Sequence, residues 1–156
     1  MWNWRNIILK NHPDNIQVKF VHKLGDNYEV EELACKRMGK YYEVNNIPFF
    51  IHNIALGDII SVEKNQGYWY DSLIKESGAS LIQVVALRDT NMRTYMEEFK
   101  EYQTEMYSDL LISISINPYQ DYKLLKKRLE SGLKEGIWDY KEASLSKVHR
   151  ENVTVE

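Results

Sequence analysis

Four histidines, one cysteine and a large set of carboxylates are the residues of this 156-residue chain best equipped for chemistry. His12, His22, His52 and His149 form no pair at the i, i+4 spacing that puts two imidazoles on one helix face. None lies in an HExxH context, so no zinc-hydrolase helix is encoded. The single cysteine, Cys35, excludes an intramolecular disulfide and a multi-cysteine zinc site. His52 with Asp58 has the composition of a base and its orienter, and Cys35 that of a nucleophile. Cys35, however, sits beside Ala34 in the middle of an apolar strand pattern, where a thiol is usually buried and inert. Gly132 and Gly136 stand alone, outside any phosphate-binding glycine pattern, and Ser113 and Ser115 alternate along a strand with no nucleophile elbow. The expectation is a chain with no catalytic residue, no metal and no cofactor.

The carboxylates say more. The whole chain carries 20 Lys and Arg against 23 Asp and Glu, a net charge of −3, which gives no global reason to bind nucleic acid or an anionic membrane. Between Asp89 and Tyr122, seven acidic residues (Asp89, Glu97, Glu98, Glu101, Glu105, Asp109 and Asp121) face two basic ones (Arg93 and Lys100), a local net of −5. Glu97, Glu101 and Glu105 are spaced by four, which on a helix is one row, with Glu98 beside it. Like charges so placed cost a few tenths of a kcal/mol per pair. Two readings stay open: a surface for a positively charged partner, or a solvated face partly neutralised by Lys100, Lys123, Lys126, Lys127 and Arg128.

The 11 Tyr and 4 Trp supply a sizeable aromatic core and contact residues outside it. Tyr68-Trp69-Tyr70, with Tyr41 and Tyr42 near, could stack bases on a small barrel. Residues 1–88 nevertheless hold ten basic and ten acidic side chains, so no basic groove follows and nucleic-acid binding is not favoured. The expected arrangement puts Trp69 in the core and Tyr68 and Tyr70 on the surface.

Periodicity assigns the elements that must position these groups. Up to about residue 88, short apolar runs alternate with turns at Gly25-Asp26-Asn27, Met38-Gly39-Lys40, Gly57-Asp58 and Asn65-Gln66-Gly67, the pattern of an antiparallel, barrel-like sheet. Leu81 to Leu87 reads as a central strand. Met92, Tyr95, Met96, Phe99, Tyr102 and Met106 recur at helical steps, with Asp89 or Thr90 as N-cap. Leu110 to Ile116 is a strand, and Asn117-Pro118 opens a second helix whose stripe is Tyr122, Leu125, Leu129 and Leu133, ended by Gly132 or Gly136. From Ser144 onward the tail looks frayed. The fold class is α+β: an N-terminal antiparallel barrel-like β-unit packed with a C-terminal βαβα, half ferredoxin-like, unit. The whole is one domain over 1–156, with an N-terminal extension and first strand (1–28), the β-unit (29–76) and the βαβα unit (81–142). No run approaches the roughly 20 apolar residues of a membrane helix and no signal peptide is evident, so a soluble cytoplasmic protein is expected.

Asn46-Ile47-Pro48-Phe49-Phe50, followed by Gly57-Asp58-Ile59-Ile60, resembles the pattern of a bacterial family known only as a domain of unknown function. Gly39-Lys40-Tyr41 in a hairpin, Ser77-Gly78 before the strand at 81–87, and Trp138-Asp139-Tyr140 as an ending extend the resemblance over about residues 29–142. Ala79 and Gln83 depart from it, where a polar residue or histidine and an arginine are expected. The resemblance implies a fold and transfers no activity. Read as physics, the motif is architectural: Pro48 biases Ile47 to extended geometry, Gly57 suits a positive-φ turn, and Asp58 can bond its own backbone.

Two functions follow as expectations. The first is a non-catalytic binding protein, a bacterial immunity protein that neutralises a cognate, basic toxin domain. Glu97, Glu98, Glu101 and Glu105 would steer and dock the toxin, and Tyr68 and Tyr70 would supply contact area. The second is a small-molecule or regulatory module, or an enzyme, with Pro48–Phe50 and Tyr68–Tyr70 lining a pocket where the two halves meet.

Overall fold

The structure, a computed structural model, describes residues 15–154, and the chain divides into two compact units at Ser77/Gly78. In the first, β1 (Asn15–Leu24), β2 (Asn27–Met38), β3 (Tyr41–Val44), β4 (Ile59–Lys64) and β5 (Tyr68–Lys75) close a barrel in sequential order. Strands of a meander alternate in direction, so an odd number forces the closing pair to be parallel. Here that pair is Val18–Tyr68 and Lys19–Trp69. Beyond Lys19, β1 continues in register with β2 alone as far as the turn at Gly25, whose φ of 62° suits a residue without Cβ. Val18, Phe20, Leu33, Cys35, Val44 and Ile60 fill the barrel, their alternation with Gln17, Lys19 and Glu32 being the period of two that a half-buried strand requires.

The second unit contains β6 (Ser80–Ala86), a 3-10 helix (Met92–Phe99), β7 (Gln103–Ser108), β8 (Leu111–Ile116), α1 (Lys123–Lys134), β9 (Trp138–Ser144) and α2 (Lys147–Val153). The sheet order is β7-β8-β6-β9 with every neighbour antiparallel. The α+β class stands, and the expected βαβα half proves to be a full ferredoxin-like βαββαβ arrangement with a 3-10 helix in its first crossover. Among the described residues no helix is long and apolar enough to cross a membrane.

The helix expected to run to Met106 ends at Phe99. Residues 103–108 are instead a strand against β8, with Thr104 opposite Ile114 and Met106 opposite Ile112. Tyr102 and Met106 are four apart, a spacing that serves a strand face as well as a helix face, and the hydrogen-bond ladder to β8 decides between them. The cap also moves by one residue: Asn91, not Asp89 or Thr90, accepts from the Arg93 N–H. Asn117 caps a turn instead of α1, its Oδ1 accepting from Tyr119 and Gln120 N–H, and α1 begins only at Lys123. The tail is ordered into α2, whose His149 is fully buried. Its Nδ1 faces the hydroxyls of Ser80 and Ser146, and its Nε2 faces the carbonyls of Asn117 and Gln120. Two carbonyls can only accept, so Nε2 carries a proton.

Trp138 is the hub of this unit. Its Nε1–H donates to the Leu129 carbonyl, Tyr95 meets its ring edge-on at 5.2 Å, Phe99 packs at 5.7 Å, and the Arg128 guanidinium lies 4.8 Å from its centroid. Gly132 lies inside α1 instead of ending it, because the indole occupies the space where a Cβ would project; Gly136, at φ 74°, follows the C-terminus. Gly132→Ala should therefore lose about 1–3 kcal/mol despite alanine's better helix propensity, read as a lower urea midpoint at unchanged m. A neutral or stabilising effect would show that the indole can move aside.

Candidate functional site

The segment after β3 is shaped by side chains that bond its backbone. Glu31 lies opposite Phe20 in the β1–β2 register, and its carboxylate accepts the main-chain N–H groups of Phe49, Phe50 and Ile51 at 2.8, 3.1 and 3.0 Å. Pro48, with no N–H to place, precedes this run of three. Asn46 Oδ1 accepts from Ala34 N–H at 2.6 Å. Asp58 takes the Ala55 and Ser77 N–H groups on its two oxygens, each at 2.9 Å, while the Ser77 hydroxyl donates to the Leu56 carbonyl. Burial pushes the Asp58 carboxyl above its usual range, and the N–H bonds from Ser77 and Ala55 pull against that shift. Gly57, at φ 88°, is held so close to Ser77 that a Cβ would lie 3.1 Å from the serine Cβ. The residues of the expected motif thus form one hydrogen-bonded loop scaffold.

That scaffold walls a cavity of about 440 Å³ at the mouth of the barrel, between β1 residues 20–23 and loop residues 50–54, with Tyr70 at its side. Two stacked ring pairs flank it: His22 on Phe50, at 5.5 Å and 10° between planes, and Phe20 on Tyr70, at 4.9 Å and 20°. Burial raises the Tyr70 hydroxyl, and the charges of Asp58 and Asp71 add to the shift. Of the residues expected to line a pocket, Phe50 and Tyr70 do so, within the barrel unit itself. His22 and His52 line it as well, although their 30-residue separation gave no spacing signal.

Several expected positions change. Tyr68 and Tyr70 pack against the barrel core, whereas Trp69 faces outward with the Lys19 ammonium 5.1 Å from its ring centroid. The reason is register: Trp69 pairs with Lys19 on one side and Glu63 on the other, which fixes the charged face as its own. Cys35 is fully buried, and desolvation lifts its thiol to about 12. Ser113 and Ser115 are buried in β8. No group of three or more His, Cys, Asp or Glu among the described residues is arranged to hold a metal ion.

The glutamates do not form a row. Glu97 and Glu98 lie on the 3-10 helix, Glu101 in the turn after it, and half-buried Glu105 on β7 opposite Ser113. Lys100 pairs with Glu97 at 2.7 Å and Arg128 grips both oxygens of Glu98, two of the neutralising partners foreseen for this face. A different grouping takes their place. Gln120 Nε2 donates to the Glu101 carbonyl and ties the 117–121 turn to that residue. Burial raises the half-buried Tyr102 hydroxyl, and the charges of Glu101 and Asp121 add to the rise, while Asp121 Oδ1 accepts the Lys123 N–H at 2.8 Å. On the same turn Tyr119 is 97% exposed, and Leu124, at the start of α1, is 77% exposed. Sequence reasoning missed both: Tyr119 sits in a turn with no periodicity, and Leu124 looks like one more apolar residue of a helix.

Residues 31–140 match the family model described as Domain of unknown function (DUF4265). The chain belongs to this family. Its matched span starts at the carboxylate that clamps the loop, Glu31, and ends within β9. No curated protein matches the sequence. Among solved structures the chain is similar to one described as "Novel crystal structure of a hypothetical protein from Neisseria gonorrhoeae", with 26% identity and a TM-score of 0.76 over 87% of this chain and 99% of that one. The family and this neighbour share a fold with the chain and bring no activity to it.

Two outcomes test the site's construction. Glu31→Ala should cost about 2–3 kcal/mol by leaving three N–H groups without their charged acceptor, and hydrogen exchange should accelerate first at Phe49–Ile51. Uniform acceleration across the barrel would place the role of Glu31 elsewhere. Cys35 should resist a thiol reagent at about pH 8 in the folded protein and react at once in guanidinium; rapid native labelling would contradict its burial.

Proposed function

We propose that the protein is a non-catalytic protein-binding protein, an immunity protein that neutralises a cognate, basic toxin domain by direct binding. The observation that carries this reading is Tyr119, which stands 97% exposed on the turn that holds Asp121 and that Gln120 ties to Glu101, with Leu124 exposed at the start of α1. An exposed tyrosine brings contact area at low entropic cost, and the exposed carboxylates of Glu101 and Asp121 favour a cationic partner and speed encounter. Glu97 and Glu98, committed to Lys100 and Arg128, contribute less, and surface pairs of this kind are worth about 0–1 kcal/mol. The docking surface proposed is therefore centred on Glu101, Asp121, Tyr119 and Leu124, while Tyr68 and Tyr70 belong to the barrel.

Affinity purification of the tagged protein from its native cells, at low and high salt, is the test. A stoichiometric basic partner is expected. Against it, Tyr119→Ala should weaken binding by about 10–30-fold through faster dissociation. Glu101→Lys with Asp121→Lys should slow association and flatten its salt dependence. Recovery of the chain alone, or unchanged kinetics in these variants, would remove the proposal.

A further inference from the structure

We infer that the open edge of β1 at Val21–Lys23 docks an extended peptide segment of a partner protein, added as a strand with one apolar side chain in the cavity at the barrel mouth. The site lies in the first unit and does not depend on the reading above, whose residues belong to the second. The free backbone groups follow from register. Ala34 sends both its main-chain groups away from β1, the N–H to Asn46 Oδ1 and the C=O to the Asn45 N–H. Its neighbour in β1, Gln17, therefore faces it without hydrogen bonds, and in an antiparallel ladder the two kinds of pair alternate. Val21–Val30 and Lys23–Tyr28 are then pairs of the same kind, so Val21 and Lys23 turn their N–H and C=O groups away from β2. Lys19 is turned the same way and meets β5 in the closing pair of the barrel. Val21 and Lys23 have no such counterpart among the described residues. The closing pair stops at Lys19–Trp69, just before a bulge in β5 at Asp71, and a bulge bends the strand that carries it.

Two N–H and two C=O groups along an exposed edge are what an added strand bonds. The side chains around them set what that strand carries. Alternation puts Phe20 and His22 on the barrel side of β1, where Phe20, Ile51, Ile54 and Tyr70 give the cavity of about 440 Å³ an apolar and aromatic wall. A residue of the added strand on that side is accordingly apolar. On the opposite face Val21 and Val30, exposed and paired with one another, favour a β-branched neighbour. A second copy of the chain suits this edge less well than a partner's strand. Antiparallel pairing of two such edges over Val21–Lys23 sets their Lys23 ammoniums diagonally across one face, where they repel.

The probe is acetyl-Ser-Val-Leu-Val-Ser-amide, titrated into the full chain and followed by amide-resolved NMR and hydrogen exchange. In the free chain the Phe20 and His22 amides, bonded to β2, should exchange slowly and those of Val21 and Lys23 fast. Saturating peptide should slow Val21 and Lys23 by about tenfold or more and shift Ile54 and Tyr70. Serine in place of the leucine should raise Kd about tenfold, and N-methylation of the three central residues should abolish binding. Val21→Pro removes an N–H that the β1–β2 ladder does not use, at an edge position where proline is tolerated, and should also abolish it with the rest of the spectrum intact. Slow exchange at Val21 and Lys23 in the free chain would show the edge already taken and overturn the assignment. No saturation below about 5 mM, undiminished binding of the methylated or serine peptide, or shifts that bypass residues 20–24 would overturn it equally.

Discussion

One carboxylate does more to organise the first unit than its place in the sequence suggests. Glu31 points to the barrel side of β2, a position that alternation reserves for apolar residues, and is kept there because three consecutive N–H groups from the chain after β3 converge on it. Charged acceptors make the stronger protein hydrogen bonds, and three of them offset the desolvation of a half-buried carboxylate. The loop is thereby held against the ribbon, His22 is placed on Phe50, and the mouth of the barrel is a cavity instead of a closed end. Asn46, Asp58 and Ser77 continue the same scheme, each spending a side chain on main-chain groups that no strand ladder satisfies.

In the second unit the corresponding constraint is steric. Trp138 requires a glycine opposite it, and Gly132 supplies the gap within α1, trading helix propensity for close approach. The rings of Tyr95 and Phe99 then close on the indole, which holds the 3-10 helix to the sheet. At the far end of the chain, the buried hydrogen bonds between His149, Ser80 and Ser146 attach α2 to β6. A serine and a histidine in contact resemble a catalytic pair, but both are wholly buried here, so their chemistry is cohesion.

These constraints separate architecture from recognition. The polar residues of the motif are consumed in holding loops, so they have few groups left for a partner. In the proposed reading, recognition falls instead to exposed side chains of the second unit outside that scaffold: Tyr119, Leu124, Glu101 and Asp121.

Alternation of Ile16, Val18 and Phe20, the glycine turns, and the apolar run at 81–87 were enough to determine a barrel-like sheet followed by an α+β unit, because local periods of two and the need for positive φ are written residue by residue. The burial of Cys35 was legible for the same reason. Only the tertiary structure decided that residues 103–108 are a strand, since the spacing of Tyr102 and Met106 suits both periods and pairing with β8 settles the choice. It also decided which side of β5 faces inward, because that depends on register with Lys19 and Glu63 and not on the hydrophobicity of Trp69. The placing of His22 and His52 on one cavity, and the meeting of Glu31 with Phe49–Ile51, lay beyond any spacing rule, because closing a barrel brings together residues whose separation along the chain carries no period at all.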